Sequence, residues 1–315
     1  MQSTVRKLAA RAAVAAAIAA TAPVALAISF SNVYSFGDSL SDTGNIAQVT
    51  GFPMPPYTPG RFTSDFQDGT AGQVWVEYVS AHFGGASVNS LAGGTNYAWG
   101  GARTGPDNAG LPPSLLDQHN FFLNDMGGVA DPDALYTVFG GGNDVRDNDI
   151  ASSVGNIRTI IENLAAAGAR NFFVPNLPDI GMTPESLGGG APGGSAATIS
   201  AASVQFNTDL SAMLDDLEAT LDITIARLDL FATFNSVIAD PTAFGLTNAS
   251  DSCFTGDLDG SGGTLCSDVD SFLFFDGIHP TAAGHALVGG LAIDAIEAAF
   301  VPIPAALPMR LAAVG

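Results

Sequence analysis

The chain has 315 residues, of which 31 are acidic and 10 basic, for a formal charge of −21. Hydrophobic residues make up 47%, too many for a disordered chain and enough for a large core. The acidic balance argues against a nucleic-acid partner, which calls for clustered Lys and Arg, and two cysteines with four scattered histidines show no zinc-ligand spacing.

In chain order, Arg6, Lys7 and Arg11 precede the apolar run 12–20, and Pro23 and the triplet Ala25-Leu26-Ala27 follow it. Basic, short apolar and small-x-small segments in this order read as a secretory leader cut after Ala27. The apolar run falls short of the roughly 20 residues that a membrane anchor needs. Removing residues 1–27 takes away three basic groups and no acidic one, so the charge moves from −21 to −24 and no lysine remains. An extracellular or periplasmic protein is expected. No later segment reads as a membrane span, and no repeat or linker divides residues 28–300.

Val33-Tyr34-Ser35-Phe36 reads as a buried strand ending at Gly37. Residues 73–83 have an amphipathic helical period, with Val74, Trp75, Tyr78, Val79 and His82 near one stripe. A second strand is Leu135-Tyr136-Thr137-Val138-Phe139, stopped by three glycines. Residues 153–167 read as a helix closed by Gly168, and Asn171-Phe172-Phe173-Val174 as a third strand. Residues 184–195, rich in Gly and Pro, read as a mobile surface excursion. A long helix follows over 196–221, with Val204, Leu210, Leu214 and Leu217 toward the core, then a strand over 222–228 and a last helix over 281–300 entered through Pro280. Strands alternating with helices of this length imply βαβ units, hence one α/β domain with a parallel sheet covered on both faces.

Chemistry at a parallel sheet gathers at the carboxyl ends of its strands. The first strand runs into Phe36-Gly37-Asp38-Ser39-Leu40-Ser41-Asp42-Thr43-Gly44-Asn45. Ser39 sits in a strand-to-loop turn where its hydroxyl can project above the sheet edge, and a serine hydroxyl needs a neighbouring base to become a nucleophile. Taken alone, it reads at least as well as a cap of the following turn. Among the histidines, His82 lies on the inner stripe of its helix as a packed residue. His119 sits on a surface or partly buried helix face, and His285 inside the last helix. Only His279 lies in a loop with a carboxylate, Asp276, three residues before it and Pro280 after it. Asp276 can then accept the Nδ1–H, leaving Nε2 to face a nucleophile; a structural histidine is the alternative.

The stretch around Ser39 resembles the first block of the GDSL family of SGNH hydrolases, in the subgroup that reads FGDSLSDTGN. Asn96-Tyr97-Ala98-Trp99-Gly100-Gly101-Ala102 resembles the second block, Gly141-Gly142-Asn143-Asp144 the third, and Asp276-Gly277-Ile278-His279-Pro280 the last. The resemblance spans 33 to about 299. It implies a single three-layer α/β/α domain with a mostly parallel, flavodoxin-like central sheet, and a secreted esterase or lipase needing no cofactor. Ser39, His279 and Asp276 would form its triad. The implied oxyanion donors are Ser39 N–H, Gly101 N–H and the Asn143 amide, with Gly100 as the other choice for the glycine and an ordinary turn as the other reading of Asn143-Asp144. Asp38, Asp42 and Asn45 would brace the nucleophile loop.

The substrate stays open between simple esters, phospholipids, acyl transfer and sugar deacetylation, and a catalytically idle extracellular binding protein on the same fold is the contrasting reading. The acidic surface disfavours anionic membranes and points to soluble or neutral esters. Phe52-Pro53-Met54-Pro55-Pro56-Tyr57 and Phe121-Phe122-Leu123 are candidates for an acyl pocket or for plain core. A monomer is expected.

Three secondary features remain. Cys253 and Cys266, both in the polar segment 248–270, are the expected disulfide of an exported chain. Asp257, Asp259 and Asp268 with Gly262 partly match a calcium loop, but a solvated acidic turn is the preferred reading because the flanking helices and final Glu of an EF-hand are missing. The Pro-rich tail 301–315 opens like a VPxP-type bacterial C-terminal sorting signal. It lacks the apolar span that should follow, and the appended β-barrel of some family members is not seen, so a frayed, untethered end is expected.

Overall fold

Val33–Gly37 (β1) and Leu135–Phe139 (β2) pair in parallel over their full length, with Val33 opposite Leu135 and Gly37 opposite Phe139. All five residues of β2 are buried, as expected of a strand covered on both faces. This geometry comes from a computed structural model, which describes residues 28–106 and 110–300. Residues 1–27 and 301–315, with the expected leader, its cleavage site and the VPxP-like tail, lie outside the described residues.

Asn171–Phe173 (β3) and Thr224–Ala226 (β4) extend the parallel sheet in the order β1-β2-β3-β4. On the free side of β1 the backbone of residues 95–99 runs alongside. Ser35 N–H donates to Thr95 O (3.1 Å), Tyr97 N–H to Ser35 O (2.8 Å) and Trp99 N–H to Gly37 O (3.1 Å). Counting that segment, the order is the flavodoxin-like one, whose topological switch point lies beside β1.

The helices are α1 (Asn45–Thr50), α2 (Trp75–Phe83), α3 (Leu115–Asp125), α4 (Gly142–Arg146), α5 (Ser153–Ala167), α6 (Pro184–Leu187), α7 (Ala196–Thr220), α8 (Leu230–Ala239) and α9 (Ala282–Phe300). α2 and α9 pack on each other over one face of the sheet, and α3, α5 and α7 cover the other. Aromatic rings fill both interfaces. Phe122 of α3 meets Tyr34, Phe36, Tyr97 and Tyr136 edge-on, whereas Trp75 of α2 meets Phe139 and Phe173.

Several sequence expectations are corrected. Val204 is 50% exposed, because the buried stripe of α7 runs through Ile199, Ala202, Phe206, Leu210, Leu214 and Leu217, and Val204 is off that 3.6-residue period. His82 is not packed: it lies at the edge of α2 and faces Glu297 of α9 across 2.9 Å with both side chains well exposed, a pair worth little. Conversely, His119 is fully buried. The segment 184–195 is no free excursion, since α6 buries Ser186 and the turn after it buries Ala191. Segment 248–270 begins with a strand, β5 (Asn248–Ser252), paired in parallel with β6 (Phe272–Phe274) as a separate two-stranded sheet. Finally, α9 is long and apolar enough by length and composition to cross a bilayer, although no such segment was expected after the leader; here it lies against α2 and β6.

Gly37 ends β1 opposite Phe139, the last residue of β2. A Cβ there would lie 2.6 Å from the Phe139 carbonyl oxygen, which is sheet backbone and cannot move aside. Gly37→Ala is therefore expected to cost about 1–3 kcal/mol of stability, read as a lower urea midpoint with an unchanged slope.

Candidate active site

β1 ends at Gly37, and Gln118 of α3 clamps that end: its Oε1 accepts Gly37 N–H and its Nε2 donates to Gly37 O, both at 2.9 Å. The chain then turns sharply. Ser41 and Asp42 N–H both donate to Asp38 O at 3.0 Å, which lifts Ser39 above the sheet edge. Asp42 is buried, and its carboxylate gathers the N–H groups of Gly44, Asn45, Ile46 and Gly100 at 2.7–3.1 Å. Burial pushes its carboxyl upward, against those four hydrogen bonds. Asn45 donates to Asn96 O and Ala98 O, and Asn96 donates to Ser41 O, so the first two sequence blocks are joined through backbone. The bracing expected of Asp42 and Asn45 is thus present, and Asn96 adds a brace that only its position in the second block signalled.

His279 and Asp276 arrive from the other side, in the tight turn after β6. Phe275 N–H donates to His279 O at 2.8 Å, and Asp276 Oδ1 accepts Ile278 N–H (2.8 Å) and His279 N–H (2.7 Å). The three side chains meet in a line. His279 Nδ1 is 2.7 Å from Asp276 Oδ2, and His279 Nε2 is 2.8 Å from Ser39 Oγ. Ser39 therefore does not serve as a turn cap, the reading that its local sequence equally allowed. All three residues are buried. Burial alone would raise the Asp276 carboxyl, but the charge of His279, its hydrogen bond and the two backbone N–H groups outweigh it and hold the carboxyl below the usual range.

Tyr57 is the contributor that the sequence placed elsewhere. Its hydroxyl donates to Asp276 Oδ2 at 2.8 Å, and its ring belongs to a small satellite core with Cys253, Phe254, Val269 and Phe275. The structure pairs Cys253 with Cys266 in that core, Cα atoms 4.8 Å apart. Phe62 lies over the imidazole, ring centroids 5.0 Å apart. No residue of 52–57 or 121–123 lines the cleft over Ser39: Tyr57 and Phe122 are buried in core, and Phe52, Met54 and Phe121 are exposed.

Asn143 lies in the first turn of α4, four residues after the end of β2. Its Nδ2 donates to Ala102 O at 2.9 Å, and its side chain lines the same cleft as Ser39 and His279. Asp144 beside it is buried and accepts from Thr104 N–H, Thr104 Oγ1 and Ser153 Oγ. Of the two candidate glycines, Gly100 N–H is already given to Asp42 at 2.8 Å, whereas Gly101 N–H has no partner among the described residues. Gly101 also has φ 78°, a backbone that glycine holds without strain.

Around the cleft, Arg146 of α4 forms a two-pronged ion pair with Glu185 of α6 at 2.6 Å, and Glu185 N–H donates to Gly277 O. The Gly/Pro-rich segment is thereby tied to the turn that carries His279. Asp38 is buried beside Ser39, and burial pushes its carboxyl up to about 6. His285 is fully buried in α9, its Nδ1 accepting Trp75 N–H at 3.2 Å. Asp257, Asp259 and Asp268 do not converge: among the described residues no three His, Cys, Asp or Glu side chains gather as a metal donor set, and Asp259 instead caps its own turn by accepting Ser261 N–H.

A doubly wound α/β protein with a buried Ser–His–Asp chain over its switch point is the class these elements define. The family profile described as GDSL-like lipase/acylhydrolase matches residues 33–291, and the chain belongs to that family. Among curated relatives, Lipase 1 of Photorhabdus luminescens is 27% identical over 86% of this chain and 51% of its own. Esterase EstA of Pseudomonas aeruginosa is 29% identical over 88% of this chain and 48% of its own. The chain thus spans about half the length of these relatives. Among solved structures, Est24, a carbohydrate acetylesterase from Sinorhizobium meliloti, is 16% identical over 85% of this chain and 99% of that one, with a TM-score of 0.46.

Proposed function

We propose that the chain is an exported carboxylic ester hydrolase acting by acyl transfer, with Ser39 as nucleophile, His279 as general base and Asp276 as its orienting carboxylate. The observation that carries this reading is the unbroken line of contacts from Asp276 to His279 (2.7 Å) and from His279 to Ser39 (2.8 Å). The curated relatives are a lipase and an esterase by name, which supports the same reaction class.

Ser39 Oγ attacks the ester carbonyl as its proton passes to His279 Nε2, and the carbonyl oxygen becomes an oxyanion. Ser39 N–H, Gly101 N–H and the second proton of Asn143 Nδ2 stabilise that charge; Gly100 is the weaker candidate because its N–H is committed to Asp42. Collapse of the intermediate expels the alcohol, which takes the proton from Nε2. Water activated by the same nitrogen then releases the acid. Residues 28–300 form the catalytic domain in this reading, residues 1–27 are removed on export, and the Cys253–Cys266 bridge persists in an oxidising compartment.

Ser39→Ala is expected to lower hydrolysis of p-nitrophenyl acetate by about 10⁴-fold or more and to abolish labelling by a small fluorophosphonate. Asn143→Ala should lose about 10²–10³-fold in kcat yet remain labelled. Full hydrolysis by Ser39→Ala would refute the mechanism. Failure of the folded parent chain to be labelled would favour a binding role on the same fold.

A further inference from the structure

The cleft over Ser39 borders a second cavity, and Leu40, Ile180, Thr183 and Ile278 line both; we take their shared wall as the neck between the two chambers. Beyond the neck the walls are Trp75, Phe139, Leu230, Phe234, Phe274 and Val288, contributed by α2, β2, α8, β6 and α9. Thr183, Asp179 and His285 each have a polar atom committed elsewhere, whereas the buried Nε2 of His285 has no partner among the described residues. Thr183 Oγ1 donates to Ile180 O at 2.8 Å, Asp179 Oδ1 accepts Gly181 N–H and Ser200 Oγ–H, and His285 Nδ1 accepts Trp75 N–H. An apolar group entering this chamber therefore meets a largely apolar wall and gains chiefly by desolvation.

Its size is restrictive. The chamber offers about 40 Å³, against the roughly 150 Å³ of an apolar cavity that holds one benzene ring. There is room for one or two carbon groups and not for an extended chain.

We propose that this chamber is the acyl subsite of the hydrolase described above, and that it restricts the substrate to esters of short aliphatic acids, from acetyl to about butyryl. The inference rests on the reading of Ser39 as nucleophile. The assignment to the acyl side follows from the order of events: the acyl group stays on Ser39 through both half-reactions, while the alcohol must leave before water takes its place. A chamber closed by Leu230, Phe234 and Val288 suits the part that stays. The alcohol then lies toward the open side of the cleft, near Asn143 and Arg146.

Two ester series on the full chain test this: p-nitrophenyl esters of acids from acetate to octanoate, and acetates of different alcohols. Labelling by a small fluorophosphonate reports whether each protein has a folded, reactive Ser39. The unaltered chain is expected to reach its highest kcat/KM between acetate and butyrate and to fall at least about 10-fold by octanoate. Val288→Phe should lower the butyrate-to-acetate ratio about 10-fold, and Leu230→Ala should raise the octanoate-to-butyrate ratio by a similar factor. The two variants respectively fill and empty the chamber, so a folding defect in one leaves the other decisive. Neither should change the ranking of the alcohols. A preference for octanoate in the unaltered chain, ratios that stay put in labelled variants, or a shift confined to the alcohol series would overturn the proposal. Loss of both labelling and hydrolysis in the unaltered chain would instead remove the nucleophile reading on which it rests.

Discussion

Asp276→Asn is expected to lower kcat by about 10⁴-fold with little change in KM and no loss of fold. The carboxylate accepts four hydrogen bonds, two on each oxygen. Oδ1 holds Ile278 N–H and His279 N–H, and Oδ2 holds the Tyr57 hydroxyl and His279 Nδ1–H. An asparagine has one oxygen that accepts and one nitrogen that donates. The backbone pair keeps the oxygen at the Oδ1 position, so the new NH₂ faces both Tyr57 and His279. The imidazole must then accept at Nδ1, which puts its proton on Nε2, the atom that has to take the proton from Ser39. The base is lost without removing any ring atom. Steady-state kinetics on p-nitrophenyl butyrate, together with the fluorophosphonate labelling rate, would check this; a loss smaller than tenfold would contradict the role given to Asp276.

Two buried groups outside the proposed triad push stability in mild acid in opposite directions, alongside the raised carboxyls of Asp42 and Asp144. Burial, with His279 nearby adding repulsion, pushes His285 from 6.5 down to about 3. The unfolded chain therefore takes up a proton below pH 6.5 that the folded chain refuses, and stability present above 6.5 is lost as pH falls toward 3, by about 5 kcal/mol in all. Asp38 behaves in reverse. Its folded-state value of about 6 exceeds the ordinary 3.8, so the folded chain protonates first and gains roughly 3 kcal/mol as pH falls from 6 to about 4. The two slopes nearly cancel between pH 6 and 4, and the decline steepens below 4, where the depressed Asp276 carboxylate begins to add its own loss. Thermal melts across pH 3–7 would read this directly. Asp38→Asn, which keeps an acceptor for Leu40 N–H, should begin to lose stability already below 6.5. His285→Gln, which keeps an acceptor for Trp75 N–H, should gain stability toward pH 4. A His285→Gln protein that falls as steeply as Asp38→Asn would sink the account.

Much of the fold was legible because buried parallel strands and amphipathic helices announce themselves by period. β1 and β2 lie within a residue of where their apolar runs put them, and α5 covers the same 153–167 stretch. The misses have a common cause. Val204 was placed by hydrophobic character rather than by angle around its helix, and His82 was put on a stripe with Trp75, Tyr78 and Val79, whereas the buried face of α2 runs through Val76, Val79, Ser80 and Phe83. Residues 184–195 have loop composition, yet α6 is held by Arg146, a partner 39 positions away that local pattern cannot reveal. The short strand β5, Asn-Ala-Ser-Asp-Ser, carries no strand signal of its own and exists because β6 pairs with it.

The sequence by itself determined which residues can carry chemistry. Reactivity depends on residue type and immediate neighbours, and the Ser39 loop, the Asn143 turn and the Asp276–His279 turn are each local. Those same residues left open whether Ser39 caps a turn, which glycine N–H is free, and what lies beside Ser39. The tertiary structure decided these points. It brings His279 across 240 positions to Ser39, commits Gly100 to Asp42, sets Tyr57 beneath Asp276, and walls a small apolar chamber with side chains from five separate elements. Distance, burial and the saturation of a hydrogen-bond donor are properties of the packed chain, and residue order alone does not contain them in readable form.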